Sequence, residues 1–265
     1  MTTDARTATG APPGAQAVTR ALGLLHCFRD RPGELSASDL ARRMDLSVST
    51  AHRLARTLVA AGFLEQNEQT ARYRLGPAVA ELGRLSLHER GMHRAEPELT
   101  ELARVTGATA DLAIRSGAHA LILVGRSVDP ASGLGLRRPL HSTALGKVLL
   151  AWARPGEDDL SALPPLQAHT DRTITRLDAL RAELEQVRAV GYALNDGESA
   201  YGVRTLAVPV LDASGHVHAA LALRSTPDSL TDARLPWFLS RAHACADALE
   251  VLLLPPAQRR IRGGA

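Results

Sequence analysis

The stretch from Val48 to about Ala61 carries Ser49, Thr50, His52, Arg53 and Arg56 away from an apolar stripe of Val48, Ala51, Leu54, Ala55 and Leu58. Hydroxyls, an imidazole and guanidiniums along the outer face of one helix can hydrogen-bond base edges and neutralise phosphates, and a helix fits the major groove. Ser47 stands where it would cap that helix, and Arg42 and Arg43 close the helix before it. Arg72 and Arg74 lie on a short strand-like run after it, near where a phosphate backbone would pass. The candidate nucleic-acid contacts are therefore Arg42, Arg43, Ser47, Ser49, Thr50, His52, Arg53, Arg56, Arg72 and Arg74. An ordinary helical hairpin with solvated arginines has the same periodicity, so periodicity alone leaves both readings open.

Catalytic chemistry finds less support. No Walker A loop, G-x-S-x-G elbow or C-x-x-C pair occurs. Gly133-Leu134-Gly135 is a lone G-x-G without a third glycine and reads as a loop. Strict alternation puts His216 and His218 on one strand face, the start of a metal site, but no third ligand has suitable spacing. Asp171, Asp178, Glu183 and Glu185 read as solvated helix and cap charges. Cys27 and Cys245 each lie in an apolar helical pattern, so buried free thiols in a reducing compartment are expected. No catalytic residue, metal ligand or cofactor is assigned. Lys147 is the one lysine among 31 basic side chains. It marks either a place that needs a point charge on a flexible stem or a chance survival.

The elements that must position these groups follow from periodicity. Val18, Ala21, Leu22, Leu25 and Phe28 recur at helical spacing and predict a first helix ending near Asp30-Arg31-Pro32-Gly33. Ser36 and Asp39 fit a capping box for a second helix carrying Leu40, Ala41 and Met44 inward. Asp45-Leu46-Ser47 is a tight turn into the third helix, which Gly62 ends. Phe63-Leu64-Glu65 and Arg72-Tyr73-Arg74-Leu75 predict a hairpin. Two short helices across such a turn, then a hairpin, describe a winged helix-turn-helix. Charge agrees: residues 1–90 hold 12 arginines against 9 acids, while residues 91–265 balance.

Beyond Pro77 the pattern alternates helices with short strands. Helices are predicted over Pro77 to Glu89, through Leu99, Leu102 and Val105 to Gly107, over Ser142 to Trp152, over Arg176 to Val190, and over Thr231 to Leu254. Thr175 and Asp178 offer a capping box for the fourth, whose Leu177, Leu180, Leu184 and Val187 point inward. Strands are predicted over Thr109 to Ile114, Ala120 to Gly125, Tyr192 to Asn195, Arg204 to Leu211 and His216 to Arg224. An α/β sandwich follows rather than a doubly wound sheet. No apolar run approaches the ~18 residues of a membrane span. Met1 to Ala15 lacks the apolar stretch of a signal peptide, reads as a disordered tail, and makes a cytoplasmic protein the expectation.

Specific strings carry a family likeness: Ala17-Val18-Thr19-Arg20-Ala21-Leu22, Leu40-Ala41-Arg42-Arg43, Ser49-Thr50-Ala51-His52-Arg53-Leu54 and Tyr73-Arg74-Leu75-Gly76. Further along come His141-Ser142-Thr143-Ala144-Leu145-Gly146-Lys147, Arg172-Thr173-Ile174-Thr175, Gly191-Tyr192-Ala193 and Gly202-Val203-Arg204. In order and spacing these resemble the IclR family of bacterial transcription regulators over nearly the whole chain. The resemblance implies an α+β protein. A winged helix-turn-helix over 16–76 would join, by a linker helix over 77–90, to a GAF-like α/β effector-binding domain over 91–255, with a basic tail over 256–265. It also implies that the linker helix pairs subunits into a homodimer, with a homotetramer left open, on a palindromic double-stranded DNA operator.

In relatives that sense small oxo-acids, the ligand lies against positions that correspond here to Ala144, Leu145, Asn195, Thr205, Ala222 and Arg224. Several depart from that pattern. Asn195 stands for an acid, Thr205 for a cysteine, Ala222 and Arg224 for serines, and Ala200 for a glutamate. The strand from His216 to Arg224 would put His216, His218, Ala220, Ala222 and Arg224 on one face, with Val217, Ala219, Leu221 and Leu223 in the core. A guanidinium on the pocket face would favour an organic acid with an apolar body. Arg224 pointing into water is the other reading. A DNA-binding protein without a ligand, or an enzyme on a GAF-like scaffold, would be the alternative functions.

Overall fold

The computed structural model describes residues 14–29, 33–128 and 136–261. Gly133-Leu134-Gly135 and nearly all of the N-terminal tail lie outside them. The chain divides into two compact units, residues 1–86 and 87–265.

The first unit holds α1 (Ala15–His26), α2 (Ala37–Met44), α3 (Val48–Ala60), β1 (Leu64–Gln66) and β2 (Tyr73–Leu75), followed by α4 (Pro77–Glu89). The Ser36–Asp39 capping box forms as expected: Ser36 N–H donates to the Asp39 carboxylate at 3.1 Å, and Asp39 N–H donates to Ser36 Oγ at 3.1 Å. Asp45 takes the left-handed conformation at φ 52°, and Ser47 Oγ accepts from Thr50 N–H at 3.2 Å to start α3. β1 and β2 pair antiparallel, Leu64 opposite Leu75. Leu24, Phe28, Leu40, Ala51, Ala55, Leu58, Leu64 and Tyr73 form the core.

That core corrects three inward assignments. Val18, Leu22 and Val48 are half-exposed, at 60%, 52% and 51%. α1 is turned so that Leu24, Cys27 and Phe28 face inward, and Val48 occupies the open first turn of α3. α4 buries no residue, and its Leu82 and Leu85 stand in solvent.

The second unit is built on a six-stranded antiparallel sheet in the order β5-β4-β3-β8-β7-β6. The strands are β3 (Thr109–Ser116), β4 (His119–Gly125), β5 (Arg137–Pro139), β6 (Ala193–Asp196), β7 (Arg204–Leu211) and β8 (Val217–Ser225). α5 (Met92–Thr106) and α8 (Leu235–Leu253) cover one face through Leu99, Leu102, Phe238, Ala242 and Leu249. α6 (Ala144–Ala151) and α7 (Leu177–Val190) cover the other through Leu145, Val148, Leu149, Leu180 and Leu184. Each helix buries an apolar stripe against the pleat, which is the layered α+β solution the pattern implied.

Here too several details differ. β5 has no counterpart in the sequence reading, because three residues are too few for alternation to register. Val105 and Leu177 are exposed at 40% each. Arg176, not Thr175, is the residue before α7; it provides no side-chain cap and instead pairs with Asp178. Glu183 is no solvated charge but a partner of Lys147. His216 precedes β8, and the β7–β8 register shifts so that Leu211 pairs with Val217 and Val210 with Ala219. The strict alternation therefore breaks at His218, and Val217 packs with the α6 cluster instead of the α5–α8 core. Arg259 and Arg260 of the basic tail are pinned, Arg259 to the Val251 and Leu254 carbonyls and Arg260 to Glu250.

Candidate functional site

α3 offers its outer face to solvent. Ser47, Ser49, His52, Arg53 and Arg56 are exposed, and Thr50 is half-buried. Ser47 and Thr50 are partly occupied by the cap, with their hydroxyls 2.8 Å apart. His52 lies edge-on to the buried Tyr73 ring at 6.5 Å, which steadies the imidazole against β2. The guanidiniums of Arg53 and Arg56 make no hydrogen bond or ion pair among the described residues. Two unneutralised guanidiniums on a helix held by a packed opposite face can meet base edges and phosphates.

The flanking arginines are held differently. Arg42 pairs with Asp39 at 2.7 Å, and Arg43 donates to the Cys27 carbonyl. Arg72 donates to the Glu34 carbonyl at 3.1 Å, and Arg74 pairs with Glu65 at 2.7 Å. These pairs are surface-exposed and individually weak. They orient the wing guanidiniums while leaving N–H groups for phosphate oxygens.

In the second unit the strand register brings four of the six expected effector positions together. Asn195 is opposite Thr205, and Thr205 is opposite Arg224; one step along the sheet, Ala222 is opposite Ala207. Directly paired residues share a face. Ala222 packs in the same cluster as Ala144 and Leu145, so this is the face that α6 covers. Gly146 lets α6 sit close to the entering chain, since a Cβ there would lie 2.2 Å from the Leu140 carbonyl oxygen. Arg224 is half-buried on the α6 side, and among the described residues its Nη2 reaches only Ser127 Oγ, at 3.5 Å.

The neighbours of Arg224 were not singled out by sequence. Buried Asp111 accepts from Ser127 N–H at 3.0 Å and from Ser127 Oγ at 2.6 Å. Arg138 on β5 faces the same group: burial lowers its pKa, Asp111 opposes that shift, and Arg224 adds to it. The available signal was Asp111 itself, a lone acid inside an apolar strand, which must be satisfied or functional.

Two expectations change in character. Asn195 is committed to its own loop, its Oδ1 accepting from Glu198 and Ser199 N–H and its Nδ2 donating to Ser199 Oγ at 2.6 Å. Lys147 is 1% exposed and spends all three donors: on Glu198 at 2.6 Å, on Glu183 at 2.7 Å and on the Leu194 carbonyl at 3.0 Å. The isolated lysine is thus a clamp joining α6 to α7 and the β6 loop. Burial raises the Glu198 pKa while the ammonium opposes it, and Glu198 Oε2 has no hydrogen-bond partner among the described residues. No group of three or more His, Cys, Asp or Glu side chains among the described residues is placed to hold a metal ion. No helix among them is long and apolar enough to cross a membrane.

A winged helix-turn-helix and a separate α+β unit define a DNA-binding transcription regulator. Family models agree: residues 17–68 match the IclR helix-turn-helix domain, and residues 86–251 match the bacterial transcriptional regulator IclR C-terminal domain. The chain belongs to the IclR family. It is 38% identical to the HTH-type transcriptional regulator XynR of Escherichia coli, over 92% of this chain and 100% of that protein. It is 36% identical to the regulator BhcR of Paracoccus denitrificans, over 84% of this chain and 81% of that one. Among solved structures, an IclR-type regulator from a Silicibacter species matches with a TM-score of 0.79 at 30% identity, covering 91% of this chain and 98% of that one. An IclR homologue from Microbacterium hydrocarbonoxydans, solved with 4-hydroxybenzoate, matches at 0.73 and 27% identity, covering 89% and 98%. Its kinship is with regulators, not enzymes.

Proposed function

We propose that this regulator binds a near-palindromic operator as a homodimer, inserting α3 into successive major grooves, and that an organic acid with an apolar body sets its affinity for DNA. In this reading Arg53 and His52, with Ser49 and Thr50, meet bases or adjacent phosphates, and Arg56 adds to the same face. Arg72 and Arg74 hold the backbone from the wing; Arg42, Arg43 and Ser47 flank it. The observation that carries the reading is the unpaired guanidiniums of Arg53 and Arg56 on the exposed face of a helix whose other face packs into the core through Ala51, Ala55 and Leu58.

Dimerisation rests on α4, which buries none of its residues within this chain and leaves Leu82 and Leu85 at 52% and 53% exposure. Apolar side chains so placed on a helix gain from a partner helix. Residues 16–76 would then be the DNA-binding part, 77–90 the pairing helix and 91–255 the sensor, working in the cytoplasm.

For the effector, Arg224 supplies a permanent charge that can take a carboxylate through two parallel N–H bonds. Ala144, Leu145, Ala222 and Thr205 around it present little polar surface, which suits an aromatic or longer-chain carboxylate better than a two- or three-carbon oxo-acid. The relative solved with 4-hydroxybenzoate supports the ligand class. The test is operator binding by fluorescence anisotropy, on a duplex selected from random sequence, with and without a panel of aromatic, medium-chain and small oxo-acids. An aromatic or medium-chain acid that shifts operator affinity supports the proposal. A shift by oxo-acids alone overturns the ligand class and leaves DNA binding standing.

A further inference from the structure

At the opposite end of α6 from Ala144 a groove opens, with a cavity volume near 760 Å³. That lies within the roughly 300–1,000 Å³ typical of ligand pockets. Ile114, Leu149, Leu163 and Val217 supply apolar lining, and Arg90, Arg115, Arg154 and His218 supply the polar groups. We propose that this groove is a second ligand site, taking an organic anion with an apolar body through Arg90, Arg115 and Arg154.

Charge argues for an anion. Arg115 is fixed by the Gly117 carbonyl at 3.1 Å and the Glu157 carbonyl, so its guanidinium is oriented before anything binds. The Arg154 guanidinium makes a single hydrogen bond among the described residues, at 3.3 Å, with Asp212, a carboxylate that also accepts from Ser214 and His216 N–H. Arg90 is exposed and makes no hydrogen bond or ion pair among the described residues. Glu157 is the one carboxylate among the described lining residues. Three guanidiniums around an apolar floor attract an anion that can desolvate against it.

The backbone is shaped for the same purpose. The register shift between β7 and β8 leaves His218 without a cross-strand partner, and such irregularities redirect a side chain. His218 lines the groove half-buried, and its ring makes no hydrogen bond among the described residues. Burial holds the imidazole pKa down, with Arg154 and Arg90 adding to the effect and Asp212 opposing it. A neutral ring nitrogen is thus offered beside the three charges.

The test uses 8-anilinonaphthalene-1-sulfonate, an aromatic body with one sulfonate, titrated by fluorescence into the full-length protein. Saturable binding that weakens at least tenfold in Arg90→Gln/Arg154→Gln, stays within twofold in Arg181→Gln, an exposed arginine of α7 outside the groove, and is at least tenfold tighter than uncharged N-phenyl-1-naphthylamine is the expected result. Affinity unchanged in the double variant, affinity lost in Arg181→Gln, or equal binding of the uncharged probe would each overturn it. Should the double variant not fold, the His218 ring resonances of the unaltered protein decide. A shift on adding the sulfonate supports the site, and no shift overturns it.

Discussion

Arg224 stands directly across the β7–β8 ladder from Thr205, on the sheet face that α6 covers. Cross-strand partners on one face lie about 5 Å apart at Cβ, close enough for a bound carboxylate to touch both. Calorimetry on the full-length protein should show Arg224→Ala losing about 1.5–3 kcal/mol of affinity for an aromatic carboxylate, the range for a hydrogen bond to a charged group. Thermal stability should hardly change, since the Arg224 side chain makes one long hydrogen bond among the described residues. A ligand whose affinity survives the substitution would remove Arg224 from the site.

Lys147 gives a stability prediction. Lys147→Met leaves Glu198 and Glu183 facing a methylene chain, and breaking a buried pair on one side costs about 3–5 kcal/mol. The Glu198 pKa, already raised by burial, would rise further without the ammonium. A raised folded-state carboxyl pKa means stability falls as pH rises through it, so the variant should be weaker at pH 8 than at pH 5. Trp152 and Trp237 both lie in the 87–265 unit, so urea unfolding followed by tryptophan fluorescence reads this unit directly. An unchanged midpoint at both pH values would show the clamp to be dispensable.

The capping box of α2 predicts an acid response in the other unit. Hydrogen bonds from Ser36, with Arg42 nearby, hold the Asp39 pKa down at about 2 against an ordinary 3.8. A depressed carboxyl contributes stability above the ordinary pKa and loses it as pH falls toward the folded value. Amide exchange at Ser36 and Asp39 should therefore accelerate between about pH 4 and pH 2, and Ser36→Ala should remove that dependence. Exchange independent of pH over this window, after correction for intrinsic rates, would deny the box any role.

Cys245 should be chemically silent. Burial, with Glu98 adding to it, pushes its thiol pKa up to about 12, so the reactive thiolate is scarce at neutral pH. A thiol-specific reagent should modify Cys245 only after denaturation, and rapid labelling of native protein at this position would contradict the packing.

Much of this was legible because it depends on local rules. The Ser36–Asp39 box, the Asp45 turn, the Ser47 cap and the wing hairpin each follow from residues within a few positions of one another. Failures came where tertiary contacts decide. Val18, Leu22 and Val48 have the right spacing to be buried, yet nothing among the described residues covers them. Lys147 stood out as the one lysine, but what its charge serves was hidden, since its partners sit 36 and 51 residues away. The bulge at His218 shifted one residue and so moved Val217 to the other face, an event that alternation cannot register. That Arg138 and Asp111 lie near Arg224 was not legible, because the sheet, not the sequence, makes them neighbours.

The central claim is that α3 reads DNA while the wing holds its backbone, and operator affinity measured across a salt series tests it most directly. At fixed salt Arg53→Ala should weaken binding to a selected operator by about 1–3 kcal/mol and relax discrimination at its base pair. Arg72→Ala should weaken all duplexes alike and lower the slope of log affinity against log salt by about one unit. Unchanged affinity in both variants, with the fold intact, would contradict the account.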